Sequence, residues 1–125
     1  MYNGYTGKIL NVDMTNSRRW VEKLNENWVR NYIGGEGFGA IYLAKNLHSN
    51  IDPLSEENKL LFICGPLTGT KAPCSGRTVV MFKSPLTGTI CEVNAGGTWA
   101  PQLRRAGYDM LVIHGNANGL LRVLP

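Results

Sequence analysis

At 125 residues, with 43% hydrophobic and 18% charged side chains, the chain is long enough to bury a core and too apolar to be disordered. Its net charge of +4 is scattered, with Arg18-Arg19 and Arg104-Arg105 the adjacent basic pairs, which argues against a nucleic-acid face. The opening MYNGYTGKIL has no leader pattern, and no apolar run approaches a membrane span. The three cysteines include no CxxC, which argues against a disulfide framework or a self-contained zinc or iron–sulfur site, so reduced cytoplasmic thiols are expected.

Lys8 to Met14 alternates, with Leu10, Val12 and Met14 on one face, and predicts a strand. Thr15-Asn16-Ser17 is a turn, and Arg18 to Leu24 returns as a second strand of a hairpin, with Trp20 and Leu24 on one side. Asn25 reads as an N-cap, followed by Trp28, Val29, Tyr32 and Ile33 at helical spacing and a stop at Gly34-Gly35. The pattern Gly35-x-Gly37-x-Gly39 resembles a dinucleotide fingerprint only superficially. A helix precedes it instead of a strand, and the third glycine comes one residue early. It reads instead as a tight turn and close packing of a helix from about Phe38 to Leu47, with Ala40, Leu43, Ala44 and Leu47 on one face.

Asp52-Pro53-Leu54-Ser55 is a turn. The runs at Lys59 to Cys64 and Thr78 to Lys83 lack alternation, as strands buried on both faces do, and Thr89 to Val93 is a further strand. Gly96-Gly97 is expected to open a helix to Ala106, with Trp99, Ala100, Leu103 and Ala106 at core spacing, Arg104 and Arg105 in its last turn, and Gly107 ending it. Met110 to His114 and Leu120 to Leu124 complete the strands. Clustered strands with about three interspersed helices predict an α+β fold with mixed sheets. The chain runs from its last strand straight into Pro125, so residues 1–125 read as a single partial domain.

The chemistry concentrates between Gly65 and Gly97. Pro-Leu-Thr-Gly-Thr occurs at Pro66–Thr70 and again at Pro85–Thr89, with Ser75-Gly76-Arg77-Thr78 between them and Asn94-Ala95-Gly96-Gly97 after. Glycines let backbone N–H groups converge, threonines add donors, and Arg77 supplies a fixed charge on a rigid fork. This suits a ligand carrying phosphates or other anionic oxygens. The alternative is two Gly-containing turns joining strands, with no ligand. Asn94 is placed to cap the following helix, or to lend its carbonyl oxygen to a magnesium ion bridging phosphates at that helix mouth. Neither His48, placed near the end of a helix, nor His114, at the end of a strand, has a catalytic partner in the sequence. No nucleophile triad or paired-carboxylate site can be assembled, so no catalytic residue is assigned.

The chain resembles the N-terminal domain of the tungsten-containing aldehyde:ferredoxin oxidoreductases. The resemblance rests on Tyr5-Thr6-Gly7-Lys8-Ile9-Leu10-Asn11-Val12-Asp13, Ile33-Gly34-Gly35-x-Gly37, and Asp52-Pro53-Leu54 through Glu57-Asn58-Lys59. It continues through both Pro-Leu-Thr-Gly-Thr stretches, Ser75-Gly76-Arg77, Asn94-Ala95-Gly96-Gly97 and Arg105-Ala106-Gly107-Tyr108-Asp109. It implies an α+β base for a tungsten (or molybdenum) bis-pterin with a bridging magnesium, beside a 4Fe-4S cluster bound by residues outside this chain. By motif match, Arg77 would contact the pterin, Asn94 would lie near the magnesium, and Ala95 and Gly96 would complete the contact. Implied partners are the rest of the enzyme and ferredoxin. The resemblance also implies a base built from two structural repeats, so a twofold homodimer would be the simplest way to cover a single repeat, and nucleic acid and membrane are not expected. Two departures stand out: Glu36 occupies a turn in which the family commonly has a basic residue, and family enzymes are several times longer. Alone, the chain is expected to be inactive. A non-catalytic module for a phosphorylated ligand, or a split or truncated subunit acting in assembly, is the competing reading.

Overall fold

A computed structural model describes residues 3–117 and 119. The alternating N-terminal segment forms an antiparallel hairpin of β1 (Lys8–Asp13) and β2 (Arg18–Lys23), with Lys8 opposite Lys23 and Asp13 opposite Arg18. Asp13 ties the turn: its Oδ1 accepts the Thr15 and Asn16 amides at 3.0 and 3.2 Å. Asn25 caps α1 (Glu26–Tyr32), its Oδ1 accepting the Asn27 amide at 2.9 Å.

The helix stops one residue short of the sequence expectation. Ile33 takes a positive φ of 63° and is 64% exposed, so the chain turns before the glycines. α2 (Glu36–Asn46) then starts at once. A Cβ on Gly37 would collide with the Tyr32 carbonyl oxygen, and one on Gly39 with the Met81 sulfur, so the glycine pattern serves close packing. The buried face of α2 differs from the expected one. Phe38, Gly39, Tyr42 and Leu43 are buried while Ala40 and Ala44 are exposed. Burying the two aromatic rings removes more apolar area from water than burying two alanines, and this sets the rotation of the helix.

The remaining elements are β3 (Lys59–Ile63), β4 (Thr78–Lys83), β5 (Ile90–Ala95), α3 (Trp99–Arg105) and β6 (Met110–His114). They join the hairpin in one six-stranded sheet of order β2-β1-β6-β3-β4-β5. β1 and β6 are parallel and the other neighbours antiparallel, so the sheet is mixed and, with three helices, the fold is α+β as expected. α1 and α2 cover one face, where Ile9, Leu61, Ile63, Met81, Met110 and Val112 meet Trp28, Phe38 and Leu43. α3 lies on the other face, where Ala100 and Leu103 meet Cys64 and Leu111, with Leu10, Val12 and Phe62 only half-buried around them. β3 and β6 sit centrally between these layers, which is why their sequences do not alternate. Among the described residues no helix is long and apolar enough to cross a membrane. The strand expected at Leu120–Leu124 lies outside the described residues.

Candidate functional site

The two Pro-Leu-Thr-Gly-Thr stretches share a local conformation but not a place. Gly69 and Gly88 both sit at positive φ, 79° and 70°, which glycine adopts without strain. The first copy lies in the β3–β4 loop. There the buried Thr68 accepts the Gly65 amide on its Oγ1 at 2.9 Å and returns its own amide to the Gly65 carbonyl at 3.1 Å. The second copy is the β4–β5 hairpin turn, held by Ser84 and open to solvent, with Leu86 92% exposed. The six residues of β4 separate the two ends by roughly 17 Å. For the second copy the simple reading, a turn joining two strands, holds.

The first copy lines a cleft of about 290 Å³ together with Gly35, Cys74, Ser75 and Arg77. Arg77 is exposed, and among the described residues no carboxylate pairs with it. The β4–β5 register sets its neighbours. Val79 lies opposite Asn94 and Thr78 opposite Ala95, so the next step along the ladder brings Arg77 alongside Gly96. The contact continues beyond: a Cβ on Gly76 would lie 2.7 Å from the Gly97 carbonyl oxygen. Arg77, Asn94, Ala95 and Gly96 are thus brought to one end of the β4–β5 pair.

The route to this arrangement corrects the sequence reading. Asn94-Ala95 is not a helix mouth but the end of β5, and α3 begins only at Trp99 with Thr98 before it. Asn94 therefore caps no helix, and the amides of Gly96 and Gly97 precede α3. Asn94 and Ala95 are held in the β4–β5 ladder opposite Val79 and Thr78, and this pairing prevails over an earlier helix start. Gly97, at φ 124°, is where the chain bends away.

Asn94 donates its side-chain amide to the Glu92 carboxylate, which leaves its carbonyl oxygen for a cation or water. Glu92 titrates above the usual carboxylate range. Desolvation is the main cause, with a hydrogen bond to Glu36 and its charge adding to it, while the Asn94 bond pulls the other way. A Cβ on Gly96 or Gly97 would meet nothing within 4 Å, so the backbone there is open to approach. An unpaired guanidinium beside open backbone can receive anionic oxygens, and the Asn94 carbonyl oxygen can take a cation that accompanies them. The histidines lie outside the cleft. His48 is exposed, two residues past the end of α2, and His114 meets the Trp20 ring edge-on at 5.7 Å, its pKa lowered by burial and by Lys59. All three cysteines are free. Cys74 stands in the cleft wall, Cys91 is half-buried, and burial pushes the Cys64 thiol up to about 11.

Sequence reasoning gave no role to Arg104 or Asp109. The Asp109 carboxylate is wholly buried and accepts the backbone amides of Thr6, Gly7 and Lys8 at 2.9, 2.7 and 3.3 Å. Arg104 pairs with it through Nη1 and donates through Nη2 to the Gly65 carbonyl at 2.7 Å. The available signal was a carboxylate standing directly before the apolar run Met110–Ile113, where burial demands a partner.

The family described as "Aldehyde ferredoxin oxidoreductase, N-terminal domain" matches residues 9–124. A tungsten-containing aldehyde ferredoxin oxidoreductase of Pyrococcus abyssi is 46% identical over 115 residues, 92% of this chain and 19% of that protein. Its namesake from Pyrococcus horikoshii is 45% identical over 115 residues, with the same shares of each chain. Among solved structures, the active-site complex BamBC of benzoyl coenzyme A reductase, bound to 1,5-dienoyl-CoA, superposes with a TM-score of 0.93 at 35% identity. That match covers 96% of this chain and 18% of the other. The chain thus spans under a fifth of the length of these relatives, and by sequence and fold together it belongs to the aldehyde ferredoxin oxidoreductase N-terminal domain family.

Proposed function

We propose that this chain is the pterin-cradling N-terminal domain of a cytoplasmic oxidoreductase of the aldehyde ferredoxin type. The reaction would take an aldehyde and water to a carboxylate, releasing three protons and two electrons, the electrons going to ferredoxin. The observation that carries the reading is the β4–β5 register, with Thr78 opposite Ala95 and Val79 opposite Asn94, which brings the unpaired Arg77 to the same end of the pair as Asn94, Ala95 and Gly96. Relatives with tungsten and aldehyde in their names support it at 45–46% identity.

The residues present fit such a group. The open backbone at Gly96 and Gly97 admits a flat, phosphate-bearing ligand, and the guanidinium of Arg77 supplies charge-assisted hydrogen bonds to it. Asn94, its amide committed to Glu92, would offer Oδ1 to the magnesium that neutralises the pterin phosphates, and Ala95 and Gly96 would present backbone. When bound, the tungsten or molybdenum bis-pterin supplies the two-electron chemistry, and this chain binds, orients and tunes it by charge. Ligands for a 4Fe-4S cluster would come from elsewhere in the enzyme. The rest of that enzyme, ferredoxin, and a second copy in a twofold pair are the partners this proposal includes.

Anaerobic purification of the natural gene product tests it. Tungsten or molybdenum should copurify with pterin, measured by metal analysis and by fluorescence after oxidation. Folded protein with neither would overturn the proposal and favour a non-catalytic module.

A further inference from the structure

We propose that Arg104 is a positioning residue that holds the Gly65–Thr70 loop, a wall of the cleft Arg77 also lines, in the shape the cofactor requires. The proposal rests on the reading of the cleft given above. Arg104 stands in the last turn of α3 with its side chain only 11% exposed. Its stem and its fork grip the loop at different points. An added Cβ on Gly69 would come within 3.5 Å of Arg104 Cβ and 3.3 Å of its Cγ, so the stem lies against the turn of the loop. Nη2 donates to the Gly65 carbonyl at 2.7 Å, while the Gly65 amide is held by Thr68 Oγ1 at 2.9 Å. Gly65 is therefore fixed at both its polar groups.

Nη1 meanwhile pairs with Asp109, which is fastened by three amides to the start of β1. The cleft wall is anchored in this way to the sheet and not by its own sequence alone. The task needs an arginine, because a planar fork directs two donors at two acceptors that a compact ammonium cannot span. An ion pair serving the core alone would need only Asp109. The bond to Gly65 and the contact with Gly69 aim this one at the loop.

The test uses the natural gene product carrying Arg104→Lys, which keeps a charge beside Asp109. Amide hydrogen exchange in residues 65–70 should run on the order of tenfold faster, with β3 and β6 unchanged, because a hydrogen bond to a charged group is lost locally. Retained pterin should fall several-fold although Arg77 is intact. Thr68→Val, which frees the Gly65 amide without touching the ion pair, should give the same local pattern, and it carries the test alone if the lysine variant does not fold. Unchanged exchange at 65–70, uniform acceleration across the sheet, or full pterin retention with a loosened loop would each overturn the proposal. Failure of the cleft reading looks different: Arg77→Ala would keep all its pterin, removing the cofactor half of the proposal, whereas an unmoved loop in Arg104→Lys removes the positioning half alone.

Discussion

Asp109 shows what a single buried charge does in this fold. Its carboxylate is out of water, and three amides and a guanidinium replace the lost hydration. Removing it strands Arg104 beside a carbonyl with no counter-charge. Asp109→Ala should therefore lower unfolding stability by about 3–5 kcal/mol in urea titration. A loss below about 1 kcal/mol would mean that water enters and the pair is dispensable. Such a residue is hard to assign from sequence, because the three amides it accepts, those of Thr6, Gly7 and Lys8, lie about a hundred positions away and only Arg104 is near in the chain. Arg77 was legible for the opposite reason. It stands in a short polar turn between glycine and an apolar strand, and its exposure follows from that local context.

At the scale of elements, local chemistry predicted well wherever it was unopposed. The Asn25 cap, the hairpin and the non-alternating central strands all formed where the sequence put them. Asn94-Ala95-Gly96-Gly97 was misread because capping residues and a strand end look alike until the partner strand is known, and β4 claims the first two. The glycine-rich corner between α1 and α2 gives a sharp test. In Gly37→Ala the added methyl meets the Tyr32 carbonyl, which is backbone and cannot swing aside. A loss of about 1–3 kcal/mol by thermal or urea unfolding is expected, and an unchanged midpoint would contradict the packing described.

The Glu36–Glu92 contact between α2 and β5 gives a pH test. Glu92 holds its proton more tightly in the folded state than in the unfolded chain, so the native state binds more protons and stability falls as pH rises through the raised pKa. Glu92→Gln removes that dependence and leaves Glu36 at the start of α2. The variant should melt higher than the parent at pH 7 and about equally at pH 4. Equal shifts at both would place the effect elsewhere.

As a whole molecule, the sheet is well covered on the side of α1 and α2 and only partly on the side of α3, and its β5 edge carries the exposed Ile90 and Val93. That asymmetry, and a span of 19% of the Pyrococcus relatives, fit a domain that works against further structure. The 125-residue chain alone should show no aldehyde oxidation with a viologen acceptor, even after metal loading, and turnover by it would sink the half-site reading. Whether the end of the β4–β5 pair holds the cofactor is decided by Arg77→Ala in the natural gene product, with Arg105→Ala, at an exposed arginine at the end of α3, as control. Metal and pterin content would be measured beside circular dichroism. Loss of a charge-assisted bond of about 1.5–3 kcal/mol should cut occupancy on the order of tenfold or more in Arg77→Ala, with the spectrum unchanged and Arg105→Ala fully loaded. Full loading of Arg77→Ala would mean that the cofactor does not sit there and that Arg77 is an ordinary surface residue.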